Sequence, residues 1–115
     1  MGGATGNQYL TNVVQVAAGG TFDGGNRYYA LALRENGTVW AWGYNAHGEL
    51  GIGTAGGDHD HPEQVLRKEN QSDPDSNNVP LTNIVKIAVG AYHNLALTAD
   101  GQVLCMGLGY LWLTW

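Results

Sequence analysis

Two blocks of this chain are written twice, in the same order. Residues 10–19, LTNVVQVAAG, return at 81–90 as LTNIVKIAVG. Residues 29–43, YALALRENGTVWAWG, return at 93–107 as HNLALTADGQVLCMG. A chain built this way folds each copy alike and buries shared apolar faces against a neighbouring unit. Asn12 and Asn83 lie 71 residues apart, whereas Leu31 and Leu95 lie 64 apart. The difference is a seven-residue insertion in the first copy, within GTFDGGNR.

Each block predicts strands. Val13–Ala18 and Ile84–Val89 are rich in β-branched residues and stop at a glycine, Gly19 and Gly90. In Tyr29–Leu33 and Asn94–Thr98, Leu31, Leu33, Leu95 and Leu97 alternate with small residues. Asn36-Gly37 and Asp100-Gly101 follow, and both dipeptides favour a tight type I′ hairpin with positive φ at its two central residues. The next strands, Val39–Trp42 and Val103–Met106, run into Gly43 and Gly107. Val39 and Ala41 share one face, Trp40 and Trp42 the other, so both faces need cover. One small sheet cannot cover both of its own faces, but radially stacked sheets can. The expected fold is all-β: antiparallel β-sheet blades of a partial β-propeller, about two of them, with the tryptophans packed between blades.

Composition narrows the function. The chain has 115 residues, room for one small domain, and 18 glycines, about twice the usual share. Its net charge is −5, without the basic footprint that phosphate neutralisation needs, so nucleic acid is disfavoured as a partner. No membrane-length apolar run and no signal peptide is visible, which leaves the compartment unassigned. Cys105 is the only cysteine and has apolar neighbours, so it reads as a buried, inert thiol.

The run YALALRENGTVWAWGYNAHGELGIG resembles the repeat of the regulator of chromosome condensation family. Matching positions include Leu31, Leu33, Gly37, Val39, Trp42 and Gly43. They continue through Asn45, Gly48, Leu50, Gly51 and Gly53. Pro62 and Val65 resemble the family's Pro-x-x-Val strand, and Ile84 to Gly90 its Ile-x-x-Ala-x-Gly strand. The second copy matches at His93, Leu95, Leu97, Gly101, Val103 and Gly107. Departures are Glu49 for Gln, Tyr29 for His, Met106 for Trp, and LGYLWLTW after Gly107 where an Asn and a Gly-Gln-Leu-Gly segment are usual. The resemblance implies a seven-bladed propeller, of which this chain holds material for about two blades. It is expected to be a fragment of a larger propeller or a subunit of an assembled one. The organisation expected is an N-terminal tail, 1–9, and two repeats over 10–107. The first repeat takes 10–54 with 62–90; the second, 91–107, is incomplete. A polar insertion loop occupies 55–79, with a flexible insertion expected at SDPDSNN, 72–78, and an atypical apolar tail takes 108–115.

Residues with site chemistry cluster in the polar segment. His59 and His61 alternate in DHDH, so an extended segment could turn both toward one ion, with Asp58, Asp60 or His47 completing the set. Asp73 and Asp75 open SDPDSNN like a calcium loop, but its Gly and closing Glu are absent. GIGTAG fits a nucleotide-loop pattern without the strand and helix that pattern requires. No nucleophile elbow or catalytic triad order is present. The expected protein is therefore a non-catalytic protein–protein interaction module without a cofactor. Its expected partner is another protein or further blades, and it is a possible homo-oligomer. His47, Asp58–His61, Asp73 and Asp75 form its expected binding loops. The alternatives are a metal-binding loop protein using the His-Asp cluster or, by the family resemblance, a regulator of a small GTPase.

Overall fold

The computed structural model describes residues 10–21, 27–45, 50–53, 56–70, 72–73, 75–90, 93–107 and 113–114. It is all-β. The first sheet is antiparallel and runs in chain order: β1 (Val13–Thr21), β2 (Arg27–Arg34), β3 (Val39–Tyr44) and β4 (Asp58–Gln64). A short hairpin follows, β5 (Leu66–Lys68) with β6 (Asn78–Pro80). The second sheet repeats the first: β7 (Ile84–Val89), β8 (His93–Thr98), β9 (Val103–Gly107) and β10 (Leu113–Thr114). These are two propeller-type blades.

The repetition extends to the irregularities. β1 pairs Val13 with Arg34 and Gln15 with Leu33, with a bulge between; β7 pairs Ile84 with Thr98 and Lys86 with Leu97, with the same bulge. The bulge leaves Val14 and Val85 unpaired at matching places, both exposed. Asn12 and Asn83 enter the blades with φ of 58° and 67°, a left-handed conformation that asparagine tolerates. Their carbonyls accept the amides of Glu35 and Ala99, at 2.8 and 2.9 Å, so one asparagine positions each strand pair. The insertion in the first copy lengthens its first hairpin: Gly19, Gly20 and Thr21 pair with Tyr29, Tyr28 and Arg27.

The central hairpin turns differ from the type I′ expectation. Positive φ occurs at Gly37 (84°) and Gly101 (91°), but not at Asn36 or Asp100. The amide of Gly37 donates to Arg34 O, and that of Arg34 to Thr38 O. This is a type I turn closed by a left-handed glycine, the three-residue hairpin solution. Thr98, Gly101 and Gln102 repeat it in the second blade.

The core lies between the blades. Leu31, Leu33, Val39 and Ala41 of the first blade pack with Ile84, Ile87, Ala96, Leu104 and Met106 of the second. Burying each of the larger side chains is worth about 1.5–3 kcal/mol. Trp40 and Trp42 are only half buried and lie on the opposite face, so within this chain they do not fill the seam between its blades. Periodicity gave two apolar faces and did not say which one meets the neighbour.

Three polar contacts lock the seam. The Gln15 amide donates to Ile87 O at 2.7 Å and accepts from Ile87 N at 3.0 Å. Tyr29 Oη donates to Asn94 Oδ1 at 2.7 Å, and Gly90 O lies 3.2 Å from it. The amide of Ile84 donates to Gly37 O at 3.1 Å. Gly19 meets the second blade so closely that a Cβ there would stand 2.5 Å from Gly90 O.

Much of the polar segment 55–79, expected as an insertion loop, forms strands. Residues 58–64 form β4, the outer strand of the first blade, and β5 and β6 pair over 66–68 and 78–80. Leu50, Val65 and Leu81 are fully buried beneath this segment. Buried Asn45 holds the connection inward: its Oδ1 accepts the Leu50 amide and its carbonyl the Gly56 amide. Part of the apolar tail is also a strand, since Leu113 and Thr114 pair with Cys105 and Leu104.

Candidate functional site

The two blades carry the same faces, but only one of each is covered. Ile87 is 5% exposed because the first blade packs on it; Val16, its counterpart one repeat earlier, is 67% exposed. Ile84 and Val13 form a second such pair, at 3% and 37%. The first blade therefore has a largely open rear face, carrying Val13, Val16, Trp40 and Trp42 around a buried Ala32.

The front face of the second blade is open in the same way. Leu95, Leu97, Val103 and Cys105 occupy the positions of Leu31, Leu33, Val39 and Ala41. The first four are only half buried, whereas their counterparts are fully buried in the seam. Cys105 is thus not the buried thiol expected; burial there needs a neighbour on this face. Lys86 stands where Gln15 makes its paired bonds, and exposed His93 stands where Tyr29 is buried. A Cβ on Gly101 would meet nothing within 4 Å, while one on Gly37 would touch Asn83 N at 3.0 Å.

The expected binding loops fall in three places. His47 lies outside the described residues. Asp58 opens β4, and His59, Asp60 and His61 continue it. That strand does not alternate regularly: Ala41 pairs with Glu63 and Gly43 with His59, so Asp60, His61 and Pro62 together face Trp42. Pro62 has no amide to give the ladder, which fits the bulge. The histidines consequently take separate partners. His59 Nδ1 pairs with Glu63, and His61 Nδ1 lies 2.8 Å from Asp60 Oδ1. Their side chains are 24% and 76% exposed. Asp73 and Asp75 sit at the tip of the β5–β6 hairpin, where Asp73 Oδ1 accepts the Asp75 amide. Asn70 and Ser76 close that tip through their side chains, and Lys68 Nζ donates to Ser76 O. Among the described residues no three His, Cys, Asp or Glu side chains converge as metal ligands.

A shallow groove of about 270 Å3 opens beside the start of the second blade, between Arg67, Thr82, Asn83, Thr98 and Asp100. In the first blade Arg34 covers the matching place, its Nε donating to Thr11 O at 2.8 Å. Thr98 is the shorter residue at that position in the second blade, and the groove opens over it. Sequence reasoning missed this groove and also the seam residues Gln15, Tyr29 and Asn94. The signal for Gln15 was available: a polar residue inside the apolar run VVQVAA, opposite Lys86 in the repeat alignment.

The Regulator of chromosome condensation (RCC1) repeat matches residues 36–97, more than half of the chain, and a second form of the same repeat matches 13–49. The chain belongs to the RCC1 repeat family. Similar RCC1 proteins include Protein pim1 of Schizosaccharomyces pombe, 37% identical over 87 residues, or 72% of this chain and 15% of that protein. The mitochondrial RCC1 domain-containing protein RUG3 of Arabidopsis thaliana is 36% identical over 98 residues, 84% of this chain and 18% of that one. Human E3 ubiquitin-protein ligase HERC2 is 37% identical over 69% of this chain, but only 1% of its own length is matched. The crystal structure of human WBSCR16 superposes on 87% of this chain with a TM-score of 0.60 and 26% identity, using 21% of its own length. The chain thus spans less than a fifth of each of these sequence relatives and about a fifth of that structure.

Proposed function

We propose that this chain is a non-catalytic protein–protein interaction module on a propeller-type scaffold, whose open blade faces take a protein partner or further propeller blades. The observation that carries this reading is the unequal burial of repeat-equivalent residues, 5% for Ile87 against 67% for Val16. Exposed apolar side chains on a sheet face with a covered twin elsewhere in the chain mark a face shaped for protein contact. The bonds that lock the existing seam are of a kind that protein backbone and side chains supply, not a small metabolite. The polar rim, Asp60 and His61 on β4 with Asp73 and Asp75 at the hairpin tip, adds contacts that distinguish one partner from another. The chain matches 1% of HERC2, and the ligase activity in that protein's name belongs to HERC2 as a whole.

Site-specific photo-crosslinking tests this reading. A photoreactive residue replaces Val16 on the open rear face, Asp60 on the rim, or Thr82 as a control away from both. Discrete protein adducts at Val16 or Asp60, but not at Thr82, support an interaction module. Adducts at none of the three sites overturn it.

A further inference from the structure

We propose that the groove beside the start of the second blade takes the side chain of an arginine carried by a protein partner. This rests on the interaction reading above and names one partner residue by its chemistry, at a place away from the open faces.

The first blade contains the filled version of this site. There Arg34 Nε donates to Thr11 O at 2.8 Å, and its Nη2 lies 3.5 Å from Thr11 Oγ1. A guanidinium thus covers the residue just before the left-handed Asn12. The second blade keeps the acceptor and lacks the donor. Thr82 repeats Thr11 in front of Asn83, but Thr98 stands where Arg34 stands: Val13 pairs with Arg34, and Ile84 with Thr98. Among the described residues no side chain takes the place of Arg34 on Thr82. The space left is the groove of about 270 Å3.

A second difference between the repeats supplies charge. Asp100 lines the groove and stands at the position of Asn36. Its Oδ1 accepts the Thr98 hydroxyl, and no described residue donates to its Oδ2. The acceptors are therefore the Thr82 carbonyl and hydroxyl together with a carboxylate, where the first blade has a neutral amide. A guanidinium brings several N–H donors in one plane with a positive charge, and pairing with a carboxylate strengthens those bonds. An ammonium is a point charge without that fork. Leu81 and Leu104 are buried and also line the groove, which suits the methylene stem of an arginine. Arg67 is a like charge in the lining, but its Nη1 is turned to the hairpin, donating to Lys68 O at 2.8 Å.

The groove does not depend on either open face. Thr98 and Leu104 lie on the rear of the second blade, the side that the first blade covers. A further blade packed on the front of the second leaves the groove in place.

NMR titration of the isotope-labelled full chain tests the proposal, with the blocked tripeptide acetyl-Gly-Arg-Gly-amide as the probe. Amide shifts at Thr82, Asn83 and Thr98–Gln102 are expected to saturate with a Kd of about 1 mM, the strength of a few exposed charge-assisted bonds. The citrulline peptide has the same length without the charge and binds roughly tenfold more weakly. D100N restores the first blade's neutral amide and weakens the arginine peptide by a similar factor, roughly tenfold. R67Q removes a screened like charge and tightens binding about threefold. T98R places the missing guanidinium on Thr82 and abolishes binding. The proposal is overturned by shifts at these amides that do not saturate, by equal binding of the citrulline peptide, or by an affinity unchanged in D100N. Free L-arginine bound more tightly than the blocked peptide overturns it too, since the site would then suit a metabolite. A photoreactive side chain at Thr82 fills this groove itself, so no partner arginine reaches it there. Absence of saturable binding beside adducts at Val16 or Asp60 sinks the groove and spares the interaction reading. Saturable binding without those adducts sinks that reading and leaves a guanidinium site.

Discussion

Gln15 and Ile87 are joined by two hydrogen bonds, 2.7 and 3.0 Å, in which a side-chain amide takes the place of a neighbouring strand. The amide serves the free edge of β7, where the ladder to β8 leaves the N–H and C=O of Ile87 pointing outward. Removing it strands both backbone groups at a partly buried seam. Q15A is expected to lower stability by about 1–3 kcal/mol, the cost of leaving such groups unpaired. Urea unfolding measures this, and an unchanged midpoint would show that water serves Ile87 equally well.

Tyr29 carries the second clamp. Its hydroxyl donates to Asn94 Oδ1 from a nearly buried position, and its ring stays packed when the hydroxyl is removed. Y29F is expected to cost about 1 kcal/mol. Y29A removes the ring as well and costs about 3–5 kcal/mol. Thermal melts of the two variants should separate the hydroxyl's share from the packing share. Equal losses would mean that the bond, and not the ring, holds the seam.

Much of this was legible in the sequence, and the reason is repetition. Asn12 and Asn83 stand at matching places because each must take a left-handed conformation and offer its carbonyl to the central turn. Leu31 and Leu33 alternate because one face of their strand is the seam. β4 was hidden for the opposite reason. Asp58–Gln64 is polar and broken by Pro62, and the strand is held by its place beside β3 rather than by its own propensity. His59 and His61 take separate partners beside the same bulge, where strict alternation puts both on one side. Trp40 and Trp42 read as packing between blades, but a period of two cannot tell front from rear, and both are only half buried. The turn type failed because Asn-Gly suits both hairpin solutions, and the spacing of Leu33 and Val39 in the ladder chose the three-residue one.

The two turn glycines give an internal comparison. Gly37 and Gly101 share a left-handed φ, so alanine strains both by about 1 kcal/mol. Only at Gly37 would the added carbon also press on backbone, Asn83 N at 3.0 Å and Asn83 Cα at 3.2 Å. G37A is therefore expected to be the more damaging, with a melting temperature below that of G101A. Indistinguishable melts would mean that the turn does not bear on the second blade.

Asn45 is buried at the base of the connection to β4, and its side chain accepts the Leu50 amide at 3.1 Å. N45A is expected to cost about 1–3 kcal/mol. It should also speed amide exchange at Leu50 and Gly56 before exchange rises in β2 and β3, because the connection opens first. Uniformly faster exchange across the chain would indicate that this asparagine supports the whole sheet.

Gly19 sets how near two blades can come. A methyl group there would overlap Gly90 O by about an ångström relative to ordinary contact, and backbone cannot step aside as a side chain can. Such an overlap opens a wedge at a single joint. In a closed circle of blades no joint moves alone: the angle gained at one must be given back by the others, or the circle stays open. The missing side chain at residue 19 is in that sense a tolerance on circumference, and its cost would be felt farthest from where it arises.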